Sequence, residues 1–234
     1  SFHYHLLVVV ICIFLLLFGL LAVFLIHNFD SIGQDIGRHL KIGEIIWQTK
    51  EVPKTNLFSF TEPDFPFFNH HWLSEVIFFG IFSWFGFTGL ILLILFLVLA
   101  TFLLLFLIAK KHSRFWPLLI SFIFSIFIFI QRTEVRPEIF SFVILSFFLF
   151  AVFCAKYDKK YKYLWVLPFL QLLWTNLHIY FFIGPFFILS FFIDQLANKK
   201  YEYIKKTIIV LFLTFSAILI NPNGIQGALL PFRV

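Results

Sequence analysis

Two stretches of this chain, residues 6–26 and 90–109, run without a single charged side chain. Each is roughly 20 residues long, the length at which a helix rising 1.5 Å per residue crosses the roughly 30 Å hydrocarbon core of a bilayer. Backbone polar groups in hydrocarbon must pair within their own segment, so stretches of this kind form helices and not open strands. The rest of the chain agrees. It is 61% hydrophobic and only 13% charged, where a soluble domain carries about 25% charged residues. The expected fold is therefore all-α, a polytopic transmembrane helical bundle in which residues 1–234 form a single transmembrane domain. Further spans are expected at 115–130, 139–155, 164–174, 179–193 and 207–220.

A cleaved signal peptide is the rival reading of the first run. Its apolar core would be about 7–15 residues, behind a basic region and before small residues. The run here is longer, and Ile26-His27-Asn28-Phe29 offers no cleavage site. The chain has no methionine and stops at Phe232-Arg233-Val234 without a terminating feature, so it reads as an N-terminal fragment of a longer protein. Cys12 and Cys154 both fall in apolar spans, where a thiol serves as a small packing residue.

Charge placement sets the expected topology. Lys110, Lys111 and Arg114 occupy one connection, Lys156, Lys159, Lys160 and Lys162 the next but one, and Lys199, Lys200, Lys205 and Lys206 the next but one again. Short loops rich in Lys and Arg stay in the cytoplasm, so these three are expected there. The plain alternative, lysines snorkelling from helix ends on either side, does not account for the alternation. Segment 27–89 and the turns at 131–138, 175–178 and 221–224 then fall on the outer side, together with most of the acids. Two of these spans are short, and short helices persist in membranes where their ends line a protein-walled cavity. Pro185 and the polar Thr175-Asn176-His178 cluster favour a hairpin over one long tilted helix through 164–193.

The first outer segment holds the most information. Ser31-Ile32-Gly33-Gln34 matches a capping box, and a helix from there to about Gln48 puts Ile36, Leu40, Gly43 and Trp47 on one face. That pattern predicts an amphipathic helix resting on the membrane surface. Pro53 ends that helix, and Pro63 and Pro66 mark an extended stretch. A second helix starts near His71-Trp72 and runs towards Trp84, and Gly86 and Gly89 turn the chain into the next span. Trp47, Trp72, Trp84 and Trp116 read as interfacial anchors.

Five stretches carry a resemblance: Asp35-Ile36-Gly37-Arg38-His39-Leu40-Lys41-Ile42-Gly43-Glu44, Asn69-His70-His71-Trp72-Leu73-Ser74-Glu75, Arg136-Pro137-Glu138, Trp174-Thr175-Asn176-Leu177-His178 and Asn221-Pro222-Asn223-Gly224. In their order around the first external loop they resemble the GT-C glycosyltransferases, membrane enzymes that use polyprenyl-phosphate sugars and include protein O-mannosyltransferases and the aminoarabinose transferase of lipid A. The resemblance is nearest to bacterial relatives of that class. It implies a multi-pass protein of the bacterial cytoplasmic (inner) membrane that takes a polyprenyl-phosphate-sugar donor and an acceptor not identified by sequence. No nucleic-acid partner is expected.

The resemblance also assigns roles. A loop carboxylate acts as general base on the acceptor, and Asp35 occupies that position, with Asp30 as the substitute. Better-known members often pair two acids there, whereas Asp35 is followed by Ile36. The plain role for Asp35 is complementing the helix dipole. Developing phosphate charge needs cations, and Arg38, Arg132 and Arg136 are candidates, although Arg132 and Arg136 could equally pair with Glu134 and Glu138. Asn176 and His178 either touch substrate or satisfy a buried polar site. Some relatives use a divalent cation and others do not. Here His71 and Glu75, four apart on a helix, are the candidate ligands, while the adjacent His70 and His71 cannot face one another. Two other classes compete with a transferase: a transporter or flippase for lipid-linked or small solutes, and a non-catalytic membrane scaffold. Transport sites place charge at mid-membrane, whereas here it lies in loops.

Overall fold

The computed structural model describes residues 2–27, 35–62, 64–130, 134–199 and 201–233. These form the helices α1 (Phe2–His27), α2 (Ile36–Thr49), α3 (Trp72–His112), α4 (Phe115–Ile130), α5 (Glu138–Asp158), α6 (Leu167–Leu177), α7 (Ile183–Ala197), α8 (Ile204–Ile218) and α9 (Gly224–Leu229). Short 3₁₀ segments precede α6, α7 and α8. Among the described residues the only β pairing is one antiparallel bridge, Thr55 to Pro66. It forms in the predicted extended stretch, closed by Asn56 N–H on Phe65 O (3.1 Å) and Phe67 N–H on Lys54 O (2.8 Å).

Three segments are long and apolar enough to cross a membrane, by length and composition: α3, α5 and Ile179–Ala197. Shorter apolar helices cover Cys12–Ile26 and Phe115–Ile130. Phe14, Leu17, Leu21 and Leu25 are buried, one side chain per helical turn on a single face of α1. That face meets α3 and α4 through rings: Phe14 lies 4.5 Å from Phe106 and 5.5 Å from Phe122, and Phe102 lies 5.1 Å from Phe122. The opposite faces expose Leu15, Leu16, Phe124, Phe127 and Ile128. Contiguous apolar exposure of this kind suits lipid and not water. Among the buried polar residues between helices, Thr101 and Thr214 fold onto their own turns, bonding Leu97 O and Val210 O.

Three features position the site. At Gly86 the backbone of α3 takes φ 61, ψ −155, a region open essentially to glycine alone. The break separates an arm, residues 72–85, from the apolar span beyond it, as the sequence predicted. At His178 the chain is extended (φ −162, ψ 149), which ends α6 and removes the single long helix through 164–193. The chain then doubles back, and Gln171 Nε2 donates to Phe181 O at 2.9 Å. Lastly, Lys111 pairs with Asp158, Lys156 pairs with Asp194 at 2.8 Å, and the Tyr161 and Tyr203 rings stack at 3.9 Å. The three basic connections thus gather at one end of the bundle.

Two expectations need correction. The buried face of α2 is Ile36, His39, Ile42, Gly43 and Ile46, while Trp47 is half exposed. The stripe is turned from the predicted one because α2 packs on the arm of α3, where His39 reaches a carboxylate and Gly43 admits the neighbouring backbone. Trp72 is not a surface anchor either, since its indole N–H is bonded inside the protein. The capping box at 31–34 lies outside the described residues.

Candidate functional site

The end of the bundle opposite the basic connections is polar inside. α2 crosses the arm of α3 so closely that a Cβ at Gly43 would stand 2.1 Å from the Glu75 carbonyl oxygen. This crossing brings His39 to Glu75. His39 Nδ1 lies 3.0 Å from Glu75 Oε1, and His71 Nε2 lies 3.2 Å from the same oxygen. The second carboxylate oxygen accepts from Asn69 Nδ2 at 2.6 Å, and Asn69 Oδ1 in turn accepts the backbone N–H of His71 at 3.1 Å. Ser74 Oγ donates to His71 O at 2.7 Å. All five residues are buried, with Glu75 fully shielded and His39 2% exposed. A carboxylate so enclosed is tolerated only with its oxygens satisfied, and each has a partner here. Phe78, stacked 5.8 Å from Phe140 of α5, closes the floor.

His39, His71 and Glu75 each bring one ligand atom within 4.8 Å of the others, so the pair foreseen as a metal site is completed by a third residue from α2. His70 stands beside them, its ring 4.4 Å from that of His71 and its Nδ1 buried without a hydrogen-bond partner. Burial, and then the charge of His71, push the His70 imidazole from 6.5 down to about 4, so it is neutral at physiological pH.

A second network adjoins the first. Trp72 Nε1 donates to Asn176 Oδ1 at 2.8 Å, while Asn176 Nδ2 donates to Leu172 O and Ile220 O. Protein partners therefore occupy both ends of the Asn176 amide. Ser141 Oγ joins His178 Nδ1 at 2.8 Å and accepts from Trp174 Nε1 at 2.7 Å. Asn221 Oδ1 accepts from Asn223 N–H, and its amide bridges Ile218 O and Gly224 O.

The remaining predicted residues divide. Asp35 is exposed at the cap of α2 and makes no side-chain cap bond, while its carbonyl accepts the His39 N–H at 3.1 Å. Arg38 is half-buried and lines a small cavity of about 70 Å³ with Ile42, Asn56 and Phe67. Among the described residues it makes no ion pair with Asp35. Arg136 pairs with Glu134 (Nε to Oε2, 2.5 Å), which is its plain reading. Asp30 and Arg132 lie outside the described residues. A larger cleft of about 740 Å³ runs between the end of α2, residues 50–57 and Pro222, with Lys50 and Lys54 on its wall.

Sequence reasoning missed His39 and Asn69 as site residues. One signal was available: His39 falls at the apolar spacing of Ile36, Gly43 and Ile46, and a polar residue on a buried stripe needs a partner.

No protein family, curated protein or solved structure matches this chain.

Proposed function

We propose that the chain is a multi-pass glycosyltransferase of the GT-C type in the bacterial inner membrane, moving a sugar from a polyprenyl-phosphate donor to an acceptor on the outer face. One observation supports this reading above others. Four of the five stretches that carry the resemblance meet through hydrogen bonds or helix contact at one end of the bundle, away from the basic loops. His39 and Glu75 join the first two, Trp72 and Asn176 join the second to the fourth, and Asn176 reaches Ile220 beside the last. Arg136 opens the turn before α5, whose Ser141 holds His178.

In this mechanism the Asp35 carboxylate takes the proton of the acceptor nucleophile. The nucleophile bonds to the anomeric carbon, and the bond from that carbon to the phosphate oxygen breaks with its electron pair leaving on the lipid phosphate. Arg38, one turn along the same helix, supplies positive charge to that phosphate, with Arg132 and Arg136 as further cations. The buried cluster serves as an anchor: His39, fixed on Glu75, sits one turn after Asp35 and its amide holds the Asp35 carbonyl.

The test is Asp35→Asn in the full-length protein, assayed for sugar transfer and for donor-lipid binding. Loss of a general base costs about 10²–10⁴ in rate, so transfer should collapse while donor binding and insertion persist, and Asp30→Asn should be far milder. Near-normal turnover in D35N would remove Asp35 from the chemistry. A transporter would show donor translocation without transfer, and a scaffold would lose nothing on either substitution.

A further inference from the structure

The cluster at the crossing of α2 and α3 carries a property that the transferase reading does not require. We propose that His39, His71 and Glu75 are the protein ligands of a divalent transition-metal ion, with zinc the best match. Two imidazole nitrogens and one carboxylate oxygen form a His₂Glu set, which zinc takes with a fourth position left over. Neither magnesium nor calcium favours two imidazoles.

The spacing fits. Zinc bonds to nitrogen and oxygen of roughly 2.0–2.2 Å put neighbouring tetrahedral ligands about 3.3 Å apart. Here the two nitrogens stand 3.0 and 3.2 Å from Glu75 Oε1, and all three atoms lie within 4.8 Å of one another. The second observation is His71 Nε2. His71 is 7% exposed, and this nitrogen is buried with no hydrogen-bond partner although the carboxylate oxygen is near. Its contact with the carboxylate has the distance of an ion pair without the direction of a hydrogen bond. A metal bonds to the nitrogen directly.

The support around the three ligands is also of the kind metal sites use. Asn69 holds the other carboxylate oxygen at 2.6 Å and is itself fixed by the His71 amide, so Glu75 is oriented from outside the ligand set. His71 and Glu75 share one face of the helix start, and His39 comes from a separate helix. The ion would therefore tie α2 to the arm of α3.

The experiment uses the full chain purified in detergent with a histidine-free tag, equilibrated with Zn²⁺, desalted and measured for metal by mass spectrometry. About one zinc per chain is expected, and His39→Gln and Glu75→Gln should each lower it at least tenfold with helicity retained by circular dichroism. Cobalt substitution gives a second readout. The wild type should show the visible bands of tetrahedral Co²⁺, and His39→Cys should add a thiolate-to-cobalt charge-transfer band that only direct ligation produces. If H39Q loses its fold, that band decides the matter. Wild-type protein holding less than a tenth of an equivalent, zinc content unchanged in H39Q and E75Q, or H39C cobalt protein without the new band would each overturn the assignment.

Discussion

Gly43→Ala binds the geometry of the site most tightly to a measurable number. A Cβ at position 43 would stand 2.1 Å from the Glu75 carbonyl oxygen, 2.7 Å from its carbon and 2.8 Å from Phe79 Cβ. An ordinary carbon–oxygen contact is about 3.3 Å, so α2 and the arm must part locally by about 1 Å. Two of the three atoms are backbone and cannot swing aside. Overpacking of this sort costs about 1–3 kcal/mol. The parting also stretches the 3.0 Å contact of His39 with Glu75 out of bonding range, a further cost of about 1 kcal/mol. Replacing a helical glycine by alanine returns up to about 1 kcal/mol, which leaves a net loss of about 1–3 kcal/mol. For a chain of this size that lowers the unfolding midpoint by roughly 2–12 °C. Gly37 is the control, because it lies on the same helix with nothing within 4 Å of its Cβ position. Gly37→Ala should therefore leave stability unchanged or raise it by up to about 1 kcal/mol. The assay is thermal unfolding of both purified variants in detergent, followed by tryptophan fluorescence. A G43A protein that melts at or above the wild type would refute the close crossing of α2 and α3.

Three further outcomes follow from the same structure. Asn176→Ala strands the Trp72 indole N–H and the Ile220 carbonyl, each costing about 1–3 kcal/mol if left unpaired; an unchanged unfolding midpoint would show that the network does not hold α3 to α6. Cysteines placed at Lys159 and Lys199, in a chain with Cys12 and Cys154 replaced, should stay silent to a membrane-impermeant maleimide in intact cells while Glu51→Cys is labelled, and the reverse pattern would invert the topology. Arg136→Gln breaks an exposed pair with Glu134, so stability should change by no more than about 1 kcal/mol. A larger loss on unfolding would mean that the guanidinium does more than neutralise its neighbour.

How much of this was legible beforehand depended on whether the signal was local. The helices over the apolar runs, the break at Gly86, the extended backbone around Pro66 and the interruption at His178 are each written in a few neighbouring residues. The three basic connections were separable by charge alone, and the ion pairs at Asp158 and Asp194 gather them as their shared charge suggested. The centre of the site was not local. Glu75 meets His39 across 36 positions of chain, and no periodicity within α2 reveals which buried partner His39 will find. The pattern did show a polar residue on an apolar stripe, but the predicted face placed Leu40 and Trp47 inward and so passed over it. Asn69 was hidden for a similar reason, since its role depends on a carboxylate already fixed by another helix.

The broken helix α3 carries a scale of its own. Lys110 and Lys111 lie in its last turn, and the exposed rings of Trp84, Phe85 and Phe87 surround its break at Gly86. At 1.5 Å per residue about 36 Å separates these two landmarks, enough for the roughly 30 Å hydrocarbon core with a margin at either side. Aromatic rings and lysines settle at just those two levels. Glu75 and its imidazole partners sit on the arm that begins at this aromatic collar, beyond the break and away from the lysines. Under the proposed glycosyl transfer, the imidazole cluster and the phosphate of a membrane-anchored donor would share one side of this span, and the donor would not have to leave the bilayer to be handled.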